Sequence, residues 1–213
     1  MLDNCKVYII DDSHEVRQAI RLLMLSVGLE VLEFESADQF IADNPEIGAL
    51  EGCILLDVRM PGMSGLSLLQ HLATLPLAPP VIMISGHGDI PMAVSAVQAG
   101  AITFIEKPFN EQELLDNVHL AFRKDSVQRG KSMKIQAIKS CMDKLTQREK
   151  EVLYKITEGQ RNKAIAAELN ITQSTVEAHR AKIMQKMEAA TLSQLMRMVI
   201  YLEKCDDSPQ ENP

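Results

Sequence analysis

Gly52-Cys53-Ile54-Leu55-Leu56-Asp57-Val58-Arg59-Met60-Pro61-Gly62-Met63-Ser64-Gly65 is the stretch that decides the fold. An uncharged, mostly apolar run ends in a carboxylate, and Pro61, Gly62 and Gly65 then break the chain. A short apolar run bounded by turn residues reads as a strand buried in a parallel sheet. In such sheets function collects just outside the carboxyl ends of the strands. Asp57 falls at that place, and a carboxylate against an apolar strand needs a partner.

Outward from Asp57 the pattern repeats. Residues 6–10 read as a strand running into Asp11-Asp12, and Asp12 or Ser13 caps the next helix. Its apolar stripe reads as Val16, Ile20, Leu23 and 25–27, ended by Gly28. Strands follow at 29–34, 53–56, 81–84 and 102–105. Helices start at Ser36-Ala37-Asp38, Ser64, Pro91 and Asn110, the last running through Leu114, Leu115, Val118 and Phe122. Five strand–helix units predict an α/β fold, a doubly wound five-stranded parallel sheet with helices on both faces.

The polar residues sit at strand ends: Asp11 and Asp12 after the first strand, Asp57 after the third, Ser85 after the fourth and Lys107 after the fifth. All five therefore meet at one sheet edge. Three carboxylates in one crevice repel, and a hard divalent cation with oxygen ligands, Mg²⁺, relieves the repulsion. With Lys107 and the Ser85 hydroxyl beside it, Asp57 is placed to accept a phosphoryl group as an acyl phosphate. Taken singly, Ser85 is a turn residue, Phe104 is core and the acid pair is a helix start; their joint order carries the reading. His87 is read as a loop residue without a role, and Met60, Met63, Met83 and Met92 as packing.

The net charge of −7 conceals an asymmetry. Residues 1–125 carry 7 Lys/Arg against 18 Asp/Glu, and residues 126–213 carry 15 against 11. One half suits cations and the other a polyanion. With 213 residues and 46% hydrophobic content, the chain is long enough for two small cores. Cys5, Cys53, Cys141 and Cys205 lie far apart without metal-ligand spacing, which reads as reduced thiols in a cytoplasmic protein. The first residues carry no signal-type segment, and no apolar run approaches a membrane span of about 20 residues.

The ordered set Asp11-Asp12, 56–65, 85–94 and 104–109 resembles the receiver domain of two-component response regulators, most closely the FixJ-type subgroup. The resemblance implies that a sensor histidine kinase phosphorylates Asp57. It implies Mg²⁺ held by the Asp12 and Asp57 side chains and the Arg59 backbone carbonyl, with Asp11 acting through water. Lys107 would contact the phosphoryl group, and Lys107-Pro108 would be a cis bond. Ser85 and Phe104 stand where many members have Thr and Tyr and would form the switch. The face built from the fourth helix, fifth strand and fifth helix would dimerise on phosphorylation.

The remainder divides into a connection, a second domain and a tail. Residues 1–124 are expected to form the first domain, 125–140 a linker, 141–205 the second domain and 206–213 a disordered tail. Met133, Ile135 and Ile138 leave open that the linker extends a helix. Thr146 and Glu149 fit a capping box. A short helix from Asn162 and a longer one capped by Thr172 and running through Met187, separated by a turn at Asn170-Ile171, form a helix-turn-helix, and Thr191 or Ser193 starts a last helix. The second domain is thus expected to be all-α, with four helices.

Val176, Ile183 and Met187 mark the buried side of the third of these helices. Ser174, Glu177, Ala178, Ala181, Lys182 and Gln185 mark the opposite side, which suits a major groove. Lys163, Arg180, Lys182 and Lys186 can reach phosphates, and His179 is read as a hydrogen-bonded structural residue. The stretches 145–153, 159–166, 175–180 and 183–187 resemble the LuxR-type DNA-binding domain. That resemblance implies phosphate contacts by Thr175 and Lys182 and base-edge contacts by Glu177, Ala178 and Ala181.

The expected function is a phosphorylation-activated, DNA-binding transcription regulator, with promoter DNA and RNA polymerase as partners, and not an enzyme. Two rivals are an aspartyl-nucleophile phosphatase and a regulator controlled by partner binding without phosphorylation. The first would need a second Asp two residues after Asp57, where Arg59 stands. The complete acid, hydroxyl and lysine set argues against the second.

Overall fold

Apolar strand sequences explain the architecture of the computed structural model, which describes residues 5–86 and 90–206. Strands β1 (Lys6–Ile10), β2 (Glu30–Phe34), β3 (Gly52–Asp57), β4 (Val81–Ser85) and β5 (Thr103–Glu106) form one parallel sheet in the order β2-β1-β3-β4-β5. Every residue of β3 and β4 is buried, as strands covered on both faces require. Side-chain alternation divides the core in two. Tyr8, Ile10, Ile54, Leu56 and Met83 lie on one face with Phe40 and Leu68, contributed by helices α2 (Ala37–Asp43) and α3 (Gly65–Ala73). Val7, Ile9, Leu55, Ile82 and Ile84 lie on the other with Ile20, Met24 and Phe122, from α1 (His14–Ser26) and α5 (Glu111–Asp143). Helix α4 (Ile90–Gln98) buries Ala96 in the first of these cores.

Sheet order reverses between β1 and β3, so the crevice at that switch point opens beside Asp11 and Asp57. Ser13 caps α1, Ser36 caps α2 and Ser64 caps α3, each accepting a backbone N–H two or three residues into its helix.

One expectation is corrected here, and one alternative left open is decided. Ile20 of the expected α1 stripe is buried and Val16 and Leu23 pack half-buried beside it, but Arg17 and Met24 complete the buried side, while Leu25 and Val27 are exposed. A buried arginine breaks the apolar pattern that the period relies on. Residues 125–140 are helical throughout, because α5 continues unbroken to Asp143. Asp125 and Arg129, one turn apart, bond each other at 3.0 Å. Arg129 also donates to the carbonyls of Gly48, Leu50 and Leu77, and Asp125 accepts the Gly52 N–H at 3.0 Å. These bonds hold a stretch read as a linker to the loops at the amino end of the sheet.

The described residues divide into two compact units between Arg129 and Gly130. The second is helical: the last part of α5, then α6 (Gln147–Thr157), α7 (Asn162–Glu168), α8 (Gln173–Lys186) and α9 (Leu192–Asp206). Its core gathers Ile138, Leu145, Val152, Leu153, Ile165, Val176, Ile183, Met187, Leu195 and Val199. His87 and residues 207–213 of the expected tail lie outside the described residues, while Asp206, also expected in the tail, is the last residue of α9. No helix among the described residues is long and apolar enough to cross a membrane.

Candidate functional sites

The first site is built where β1, β3, β4 and β5 end. Asp57 closes β3 and is 6% exposed; Asp11 follows β1 and is 2% exposed. The Lys107 ammonium donates to Asp57 Oδ1 and Asp11 Oδ2, both at 2.6 Å. The remaining oxygens are also used: Asp57 Oδ2 accepts the Arg59 N–H at 2.7 Å, and Asp11 Oδ1 accepts the Ser13 N–H at 2.9 Å. The Lys107 N–H donates to the Ser85 carbonyl at 2.8 Å, which ties the end of β5 to the end of β4. The Lys107-Pro108 peptide is cis.

The electrostatics are unequal. Burial pushes the Asp57 carboxyl above its ordinary range; the Lys107 hydrogen bond and charge pull it down, and Asp11 adds repulsion. Burial alone would lower Lys107, but its hydrogen bonds to Asp11 and Asp57 outweigh that and raise it. The site therefore holds a firmly charged ammonium beside a carboxylate whose charge is under-compensated.

Ser85 is 2% exposed at the end of β4. Phe104 lies opposite Met83 in β5 and, like Met92, packs half-buried against the core that includes Met83 and Ala96. Asp12 is exposed, as is Arg59. Gly65, the first residue of α3, passes so close to the strand end that a Cβ would lie 1.9 Å from the Asp57 carbonyl oxygen. Its N–H donates to the Val58 carbonyl at 3.0 Å. No three His, Cys, Asp or Glu side chains form a ready metal cluster among the described residues. The donor chemistry nevertheless fits Mg²⁺, which favours hard oxygens, uses one or two carboxylates and keeps several waters.

Arg17 was not legible in the sequence as part of this site. Its guanidinium, 6% exposed, donates to the Asp11 carbonyl at 2.7 Å, the Asp12 carbonyl at 3.1 Å and Glu35 at 3.2 Å. It holds the backbone that carries both acids. A cation on the buried side of an amphipathic helix is the only signal of it.

The second site is the exposed side of α8. Ser174, Glu177, Ala178, Ala181, Lys182 and Gln185 are exposed, opposite the buried Val176, Ile183 and Met187. Thr172 caps the helix and exchanges hydroxyl bonds with Ser174 at 2.9 Å and Thr175 at 2.8 Å. Lys163 is exposed on α7. Lys186 behaves differently, pairing with the buried Glu149 at 2.6 Å. His179 is half-buried, and its Nδ1 is buried with no hydrogen-bond partner among the described residues.

Comparison with known proteins matches both halves. Residues 7–119 match the response regulator receiver domain, and residues 143–199 match the bacterial regulatory proteins of the luxR family. The chain is 42% identical to the response regulator protein TmoT of Ectopseudomonas mendocina over 197 residues, covering 92% of this chain and 89% of that one. It is 38% identical to the transcriptional regulatory protein FixJ of Rhizobium meliloti over 194 residues, covering 91% and 94%. The solved structure of the response regulator StyR superposes with a TM-score of 0.85 at 38% identity, covering 92% of this chain and 98% of that one.

Proposed function

Because this chain belongs to the two-component response regulators that join a receiver domain to a LuxR-type DNA-binding domain, transcription regulators rather than enzymes, we propose that it is switched by phosphorylation of Asp57. The observation that carries the reading is the buried Asp57 carboxylate at a sheet switch point, hydrogen-bonded to Lys107 at 2.6 Å. The phosphoryl group would come from a phosphohistidine of a sensor kinase: the P–N bond breaks as the P–O bond to Asp57 forms. Lys107 neutralises the developing charge on the phosphoryl oxygens. The Asp12 and Asp57 side chains and the Arg59 backbone carbonyl would hold Mg²⁺, with Asp11 acting through water. When bound, the ion supplies further positive charge for those oxygens.

Arg17 keeps the acidic loop in place during the transfer. The Ser85 hydroxyl then turns to the phosphoryl group and Phe104 moves inward, altering the face of α4, β5 and α5. Ile90, Val94 and Val97, exposed on α4, supply apolar surface for dimerisation there. A dimer presents two copies of α8 to two half-sites of promoter DNA, where RNA polymerase is engaged. Glu177, Ala178 and Ala181 face base edges, and Ser174, Thr175, Lys163 and Lys182 face the backbone.

The test is phosphoryl labelling by acetyl phosphate or a kinase. Wild type is expected to take up label in a hydroxylamine-sensitive bond, and Asp57→Asn to take up none. Label retained by Asp57→Asn would overturn the assignment. Equal DNA binding before and after labelling would favour control by partner binding instead.

A further inference from the structure

The first turn of α6 touches the ends of both helices of the helix-turn-helix. Glu149 is the third residue of α6 and is 2% exposed, unusual for a carboxylate. Its Oε2 accepts the Thr146 N–H at 2.8 Å, closing the capping box, and also accepts from the Lys186 ammonium at 2.6 Å. Lys186 is the last residue of α8. The adjacent Arg148 donates to the carbonyl of Leu169, which caps α7, and to Glu151 at 2.7 Å.

A lysine in this position has two possible uses, and they exclude each other. To reach a phosphate, Lys186 would have to leave Glu149 buried and ionised without its cation, which is strongly unfavourable. Held on Glu149, it fixes the carboxyl end of α8. That helix is 14 residues long, about 20 Å at 1.5 Å per residue, so a small rotation at its end displaces Ser174, Glu177 and Ala178 at the other. Base readout requires placement within about 0.5 Å.

We propose that Glu149, acting through Lys186, is a positioning residue for DNA recognition: the pair sets the pose of α8, and Lys186 makes no phosphate contact. This rests on α8 being the helix that reads DNA. The pair controls sequence discrimination, whereas Lys182, exposed on the same helix, controls the electrostatic part of binding.

The full-length chain, phosphorylated with acetyl phosphate, is titrated with two probes: a duplex enriched by the wild type from a random-sequence pool, and a mixed-sequence duplex. Glu149→Gln keeps an acceptor for the cap but loses the charge. Glu149→Gln/Lys186→Met removes both charges, so thermal stability stays close to wild type. Both variants are expected to lose about tenfold in affinity for the enriched duplex and less than about twofold for the mixed one, with the salt slope unchanged. Lys186→Arg is expected to restore discrimination. Lys182→Ala, the comparator, flattens the slope by about 0.9.

Three results overturn the proposal. Lys186→Met flattening the slope as Lys182→Ala does would make Lys186 a phosphate contact. Tighter binding by Glu149→Gln would show that Glu149 withholds a DNA-binding cation. Full discrimination by the double variant would make the pair structural only. If the wild type enriches no duplex, or Lys182→Ala changes neither affinity nor slope, the reading of α8 fails and this proposal with it.

Discussion

The Lys107 ammonium lies 2.6 Å from Asp57 Oδ1, although the two residues are 50 positions apart, and it bonds Asp11 at the same distance. One cation serves two carboxylates, so the cluster keeps excess negative charge. Burial, with Asp11 adding to it, raises the Asp57 carboxyl above its ordinary 3.8 despite Lys107. The folded state therefore holds its proton to higher pH than the unfolded chain does. Stability falls as pH rises from 3.8 through the folded value, and at neutral pH the ionised Asp57 opposes folding. In EDTA at neutral pH, Asp57→Asn is expected to melt at a higher temperature than the wild type, the gain shrinking toward pH 4. Added Mg²⁺ is expected to raise the wild-type Tm more than that of the variant. A lower Tm for Asp57→Asn throughout would contradict this account.

Gly65 leaves no room for a side chain. A Cβ there meets the Asp57 carbonyl oxygen at 1.9 Å and its carbon at 2.9 Å, both backbone atoms that cannot swing aside. Gly65→Ala is expected to destabilise the first unit by about 1–3 kcal/mol in urea unfolding. It is also expected to slow labelling by acetyl phosphate, because the strand end carrying Asp57 must shift. Unchanged stability and labelling would show that α3 can retreat from the strand.

Arg129 satisfies three carbonyls and the buried Asp125. Arg129→Ala leaves that carboxylate without a counter-charge and is expected to cost about 3–5 kcal/mol, read as an earlier urea midpoint of the first unit. Arg129→Lys is expected to recover little, since an ammonium cannot reproduce the planar fork. If Arg129→Ala shifted the midpoint no more than an exposed lysine substitution, the packing of residues 125–129 on the first unit would be misjudged.

Glu149 gives the second unit an acid signature. The Lys186 hydrogen bond, followed by the Thr146 backbone, holds its carboxyl down at about 2 instead of its ordinary 4.5. The unfolded chain takes up this proton near pH 4.5, the folded chain near 2. The stabilisation is complete above pH 4.5 and is lost as pH falls through that window. Urea unfolding followed by helical circular dichroism is expected to show this loss in wild type, and Glu149→Gln is expected to lack that component.

Strand positions and most elements were legible because they rest on local pattern. Apolar runs ending in Asp11, Asp57, Ser85 and Lys107 specify buried parallel strands, and strand ends of a doubly wound sheet converge without any knowledge of contacts. The caps at Ser36, Ser64, Thr146 and Thr172 are equally local, since each closes within three residues. The exposed side of α8 follows from helical period alone.

What the tertiary structure decided is where long charged side chains end. Arg17, Arg129 and Lys186 each look like surface cations in a one-dimensional pattern, and Arg17 interrupts an apolar stripe. Their partners are Asp11 and Asp12 carbonyls, loop carbonyls up to 81 positions away, and a carboxylate 37 positions away. A flexible arm of several bonds reaches whichever buried acceptor the fold brings near, and composition and period carry no record of that choice. The chain's order of residues determined which elements form and which edge gathers the acids; only packing determined which carbonyls and carboxylates Arg17, Arg129 and Lys186 bond.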